Sequence, residues 1–156
     1  MAELKARLQA DLGAAIKARE STRMAALRMA LSAVTTEEVA GEVARELSDA
    51  EVQKVLVREV KKRKEAAEAF AGAGRAERAR AERDEAAVLR EYLPTQLADD
   101  ELEKLVAEAV AEVTEQLGAA PGQRQMGQVM KAANAKIAGR AEGARVAASV
   151  RAKLQT

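Results

Sequence analysis

The side chains able to do chemistry in this chain are acids, amines and guanidinium groups. It carries 26 Lys and Arg against 25 Asp and Glu, and it has no His and no Cys. Without thiols there is no disulfide, no iron–sulfur ligation and no thiolate nucleophile. Without imidazole the usual general base, the Ser–His and Cys–His pairs and the commonest metal ligand are missing. The acid pairs Glu37/Glu38 and Asp99/Asp100 are adjacent in sequence and read as exposed residues at helix starts, where the dipole favours them, not as carboxylates converging on a pocket. Gly72-Ala73-Gly74-Arg75 lacks the strand, the spacing and the Lys-Ser/Thr end of a phosphate loop, so it reads as a helix cap. The Ser and Thr residues form no motif for an activated hydroxyl. Met24, Met29, Met126 and Met130 read as core filler. We therefore expect no catalytic centre, no metal and no cofactor.

What remains is charge placement. The net charge of +1 names no partner, but the distribution is uneven. Asp99 to Leu117 holds acids almost exclusively, with Lys104 the one cation, whereas Arg124, Lys131, Lys136, Arg140, Arg145, Arg151 and Lys153 face a single acid, Glu142, between Pro121 and Thr156. Two explanations compete. An acidic helix packing beside basic ones leaves ordinary solvated faces; alternatively, the last two helices present a basic surface to phosphates. On a helical projection Arg124 and Lys131 fall opposite the Met126/Val129/Met130 stripe, with Gln128 between them and Lys136 on the flank. A second basic cluster is Arg58, Lys61, Lys62, Arg63 and Lys64, for which Glu59, Glu65 and Glu68 offer helix-pair partners on a wet face. Phe70 and Tyr92 are the only aromatic residues, and Phe70 reads as core. Base stacking would then contribute little, and nucleic acid would be held through its backbone and shape.

These residues need helices to position them. Ala, Leu, Glu, Lys, Arg and Gln dominate, and apolar residues recur at helical spacing nearly end to end. Leu4, Leu8, Leu12 and Ile16 mark a first helix. Ser21 is placed to cap a second, with Met24, Leu27, Leu31 and Val34 on one face and fraying expected past Gly41. Ser48-Asp49-Ala50-Glu51 is a capping box that opens a third, with Val52, Val55, Leu56, Val60, Ala67 and Phe70 as its stripe. A fourth runs from about Arg75 to Leu93 and stops at Pro94. Beyond it, Leu102, Leu105, Val106, Ala109, Val110, Val113 and Leu117 give the cleanest amphipathic face. Gly118 to Gly122 is a turn; Met126, Val129, Met130, Ala133 and Ile137 line a sixth helix ended by Gly139; Val146, Val150 and Leu154 line a seventh. The expected fold is all-α: residues 1–93 as a helical subdomain of about four helices, 94–98 as a linker, and 99–156 as a three-helix domain. No stretch is apolar for long enough to span a membrane, and the charged first twenty residues do not look like a signal peptide. We read a cytoplasmic protein, and the Ala/Arg bias points to a GC-rich bacterial genome.

Three stretches resemble a known family over essentially the full length. They are Leu27-Arg28-Met29 with Arg58-Glu59-Val60-Lys61-Lys62-Arg63; Ala73-Gly74-Arg75 with Glu82, Glu85 and Tyr92-Leu93-Pro94-x-Gln96-Leu97; and Met126-Gly127-Gln128-Val129-Met130-Lys131 with Lys136, Gly139-Arg140-Ala141 and Gly143. Together they resemble the free-standing YqeY-like proteins of the GatB/YqeY family. The last stretch is also similar to the tail domain of the GatB subunit of tRNA-dependent amidotransferase. The resemblance implies an N-terminal helical subdomain and a C-terminal three-helix tail. Because the amidotransferase tail contacts tRNA, it implies Arg124, Lys131, Lys136, Arg140 and Arg145 as RNA-binding residues, with Arg58, Lys61, Lys62 and Lys64 as a secondary patch. Amide ligation with glutamine as nitrogen donor resides in domains this chain lacks and is not carried over. Ala98 stands where the family often has Ser, and Glu142 where Asp is common; both substitutions weaken a helix cap. The function expected is a non-catalytic module that binds tRNA or another structured RNA. The alternatives are a protein-interaction module, with a partner in translation or tRNA amidation, and a non-catalytic subunit of an amidotransferase-like carbon–nitrogen ligase complex.

Overall fold

The structure, a computed structural model, describes residues 1–155. Seven α-helices and one short 3-10 turn account for its regular structure, with no strand among the described residues. The all-α expectation holds. The chain divides into two compact units, Met1–Pro94 and Thr95–Thr156. No helix among the described residues is long and apolar enough to cross a membrane.

The first unit holds α1 (Glu3–Ala18), α2 (Ser21–Glu38), α3 (Asp49–Gly72) and α4 (Ala76–Arg90). Its core is built from Leu8, Ala26, Leu27, Ala30, Val34, Val52, Val55, Leu56, Ala86, Leu89 and Tyr92. Small alanines let these helix axes approach closely, which replaces the volume that aromatic residues would otherwise fill. Tyr92 is the exception: its hydroxyl donates to Asp11 Oδ2 at 2.5 Å, and the Arg7 guanidinium lies 4.6 Å from its ring centroid. Burial first, then the Asp11 carboxylate, pushes the phenol up to about 12.

Several local expectations are corrected. Ser21 begins α2 but does not cap it; Glu20 occupies the cap position and no side-chain cap bond forms. The second helix ends at Glu38, short of Gly41. Glu37 and Glu38 thus close a helix instead of opening one, and cations from other helices hold them: Arg58 lies 3.2 Å from Glu37, and Lys5 lies 2.8 Å from Glu38. Ile16 is 45% exposed and Met29 54%, so the first stripe fades toward its end and Met29 is not core filler. The fourth helix ends at Arg90, and Tyr92 enters the core from the turn that follows. Glu59 and Arg63, read as members of a wet face, are only 6% and 5% exposed. Arg63 Nη1 donates to Glu59 Oε2 at 2.8 Å and to the Glu59 carbonyl at 3.1 Å, and its Nε lies 3.4 Å from Glu85 Oε2 without a hydrogen bond. Burial and neighbouring Glu82 raise the Glu85 carboxyl above its ordinary range, against the pull of Arg63.

The capping box at α3 forms as expected. The Glu51 N–H donates to Ser48 Oγ at 3.3 Å, and the Ser48 N–H donates to Glu51 Oε2 at 2.8 Å. Arg45 adds a two-pronged bond to the same carboxylate at 2.8 and 3.1 Å. Arg45, then the Ser48 amide, lowers the Glu51 carboxyl from 4.5 to about 2. A lowered folded-state value means that this stability is complete above the unfolded value, near pH 4.5, and is lost as pH falls through about 2. Thermal melts of the native chain should therefore lose stability more steeply across that interval than melts of Glu51→Gln, which keeps the cap bond but not the charge. Parallel curves would show that the arginine fork contributes nothing.

Candidate nucleic-acid interface

The second unit is a three-helix bundle of α5 (Asp99–Leu117), α6 (Met126–Ile137) and α7 (Gly143–Leu154), with a 3-10 turn at Gln123–Gln125 leading into α6. Leu102, Val106, Ala109 and Val113 of α5 pack against Val129, Ala133 and Ile137 of α6 and Val146 and Val150 of α7. Gly118, with φ +72°, closes α5 through its N–H to the Thr114 carbonyl at 2.9 Å. At the end of α6, two successive residues take the left-handed conformation, Ala138 with φ 50° and Gly139 with φ 79°. The cap residue is thus Ala138, one position before the glycine expected to end the helix, and a non-glycine residue is strained there.

That double turn aims backbone carbonyls at the segment preceding α5. The Leu97 N–H donates to the Arg140 carbonyl at 2.7 Å, and Gln96 Nε2 donates to the Gly139 carbonyl at 3.4 Å. Arg145 Nη2 donates to the Leu97 carbonyl at 3.0 Å and to Asp99 Oδ1 at 2.9 Å. Leu97 is only 8% exposed and belongs to this unit's core. Residues 94–98, set aside in sequence as a linker, therefore include a stretch clasped onto the bundle.

Three of the five candidate RNA-binding residues are employed inside the fold. Arg145 holds the clasp. Arg140 folds its guanidinium back onto α6, with Nε donating to the Ile137 carbonyl and Nη2 to the Lys136 carbonyl, both at 3.0 Å, and so satisfies two C-terminal acceptors. Lys136 lies 3.2 Å from Glu112. Sequence reasoning missed these roles because all three depend on contacts outside the residue's own exposed face. Arg124 and Lys131 differ: both are exposed, and neither has an ion-pair partner among the described residues. Exposed Gln128, on α6, lies in sequence between Arg124 of the 3-10 turn and Lys131, with Nε2 bonded to Gln116 Oε1 at 3.3 Å. Arg151 on α7 is likewise exposed. Every acid of α5 is exposed too, and Asp99 pairs with Arg145 of α7 and Glu112 with Lys136 of α6. The packing of an acidic helix against basic ones thus accounts for part of the charge split, and Arg124, Lys131 and Arg151 are among the cations it leaves over.

The secondary patch in the first unit is mostly occupied. Arg58, Lys61, Lys62 and Lys64 are exposed along α3, but Arg58 pairs with Glu37 and Lys62 with Glu59, at 3.2 and 3.3 Å, and Lys61 is engaged as well. Lys64 has no ion-pair partner among the described residues.

The profile of the family described as Yqey-like protein matches residues 5–154, spanning both units. The chain belongs to the YqeY-like family. No curated protein matches it. The family match covers the α3 stretch, the Leu97 junction and the Met126–Lys131 segment on which the resemblance rested. The two cap departures also have structural counterparts in this YqeY-like chain. Ala98 starts α5 with no side-chain cap bond, only its N–H donating to Glu101 at 3.2 Å, and Glu142 makes no cap bond to α7.

Removing an exposed cation differs from removing the clasp. Arg145→Ala takes away a charge-assisted bond to the nearly buried Leu97 carbonyl and should cost about 1–2 kcal/mol. Arg124→Ala and Lys131→Ala should stay within about 0.5 kcal/mol of the native chain. Urea denaturation of the three variants separates these outcomes; equal midpoints would mean that Arg145 is as free as the other two.

Proposed function

We propose that this YqeY-like protein is a non-catalytic module whose α6 surface binds the phosphate backbone of structured RNA, tRNA being the first choice. The observation that carries the reading is the pair of exposed cations Arg124 and Lys131, which no acid neutralises although an acid-rich helix packs against the same helix. The similarity of the Met126–Lys131 stretch to the tail domain that contacts tRNA in the amidotransferase supports the same reading. Arg140 and Arg145 serve it indirectly, by fixing the end of α6 and the start of α7.

Phosphate contacts make affinity depend steeply on salt, with each neutralised phosphate adding about 0.9 to the log–log slope on a duplex. Titration of the full chain with tRNA at low salt tests the proposal. Arg124→Glu combined with Lys131→Glu should lower affinity at least about tenfold and shrink the salt slope by about 2, with the helical signal unchanged. Arg140 is left intact, because its reversal would set a carboxylate against two backbone carbonyls. Equal binding by both proteins would overturn the assignment of this surface. Stable capture of a translation or amidation protein by both forms, without RNA, would favour the protein-interaction reading.

A further inference from the structure

The α3–α4 turn contains an aromatic ring that the core does not use. Phe70 is partly exposed and lies outside the hydrophobic core of its unit, although its place on the α3 stripe suggested otherwise. The turn is closed without it, by backbone bonds. The Arg75 N–H donates to the Phe70 carbonyl at 2.8 Å and the Gly74 N–H to the Ala71 carbonyl at 3.1 Å, with Gly74 at φ +75°. This is the Schellman arrangement, in which the residue at the position of Arg75 is frequently apolar and packs on the side chain at the position of Phe70. Here that position holds a guanidinium. A second one, Arg78, lies over one face of the Phe70 ring, its central carbon 5.2 Å from the ring centroid. Arg75 and Arg78 are exposed, and neither has an ion-pair partner among the described residues, although Glu77 stands between them in sequence. The other aromatic residue is fully employed, since the Tyr92 ring is buried and its hydroxyl bonded.

We infer that the α3–α4 turn is a stacking site for one unstacked nucleobase of single-stranded RNA, which takes the place of the Arg78 guanidinium on the Phe70 ring while Arg75 and the displaced Arg78 hold the flanking phosphates. A phenyl face accepts any base, and arginine planes both stack and bind phosphate. The partner chemistry is that of a loop or an end, because bases inside a duplex are not available to such a ring. This inference shares its partner class with the α6 proposal but rests on different residues, and each can fail alone.

Phe70→Trp supplies the test, because the chain has no tryptophan and the new indole would be the sole one. A short single-stranded oligoribonucleotide should quench its emission at low salt, whereas a blunt duplex of equal length should not. Phe70→Leu, which keeps an apolar group at the turn, should weaken single-strand binding about tenfold and leave duplex binding unchanged. Repeating both measurements with Arg124→Glu and Lys131→Glu present separates the two surfaces, since quenching that survives the reversal belongs to the turn. Unchanged emission at saturating single strand, or equal single-strand affinity in Phe70→Leu, would overturn the inference and leave Phe70 as a staple between two helices.

Discussion

The arrangement of the second unit depends on one residue being held by both of its backbone groups. The Leu97 N–H donates to the Arg140 carbonyl and the Leu97 carbonyl accepts from Arg145, so the entrance to α5 is fixed against the junction of α6 and α7. A nearly buried peptide group needs both partners, since each one left unsatisfied costs about 1–3 kcal/mol. The chain meets that demand with a backbone carbonyl exposed by the left-handed Ala138–Gly139 turn and with a guanidinium. The clasp also sorts the basic residues. Cations that close the bundle are withdrawn from solution, and those the bundle has no use for stay exposed.

Much of the architecture was readable because it follows from local rules. The stripe Leu102, Val106, Ala109, Val113 repeats at helical spacing and needs only a neighbouring helix to bury it. Ser48 and Glu51 lie three apart before an apolar run, and the reciprocal bonds follow from that spacing. Where local rules mislead, a helix boundary or a contact from another helix had decided the matter. Ser21 has a capping side chain but sits one residue inside the helix it was expected to cap. Glu59 and Arg63 look like a solvent-facing pair four apart, yet α4 covers them, and Glu85 from that helix approaches the same guanidinium.

The candidate site shows the same division. Periodicity placed Arg124 and Lys131 opposite the apolar stripe of α6, and both are exposed in the fold. Spacing set Lys136 on the flank but did not reveal the partners of Lys136, Arg140 and Arg145, which are Glu112, two carbonyls at the end of α6, and a carbonyl 48 residues away. Phe70 errs in the other direction: it continues the α3 stripe, yet it stays partly exposed and lies outside the unit's hydrophobic core.

The central claim is that, of the five candidate residues in the second unit, Arg124 and Lys131, which internal pairing leaves over, are the ones that meet RNA. Amine-modification footprinting of the full chain, with and without saturating tRNA at low salt, tests it directly because Lys131 and Lys104 are both exposed but stand on different helices, α6 and the acidic α5. Lys131 should react readily alone and be protected by tRNA, whereas Lys104, exposed on the acidic helix, should react equally in both states. Unaltered reactivity of Lys131 with tRNA demonstrably bound, or protection confined to α3 at Lys61 and Lys64, would contradict the account.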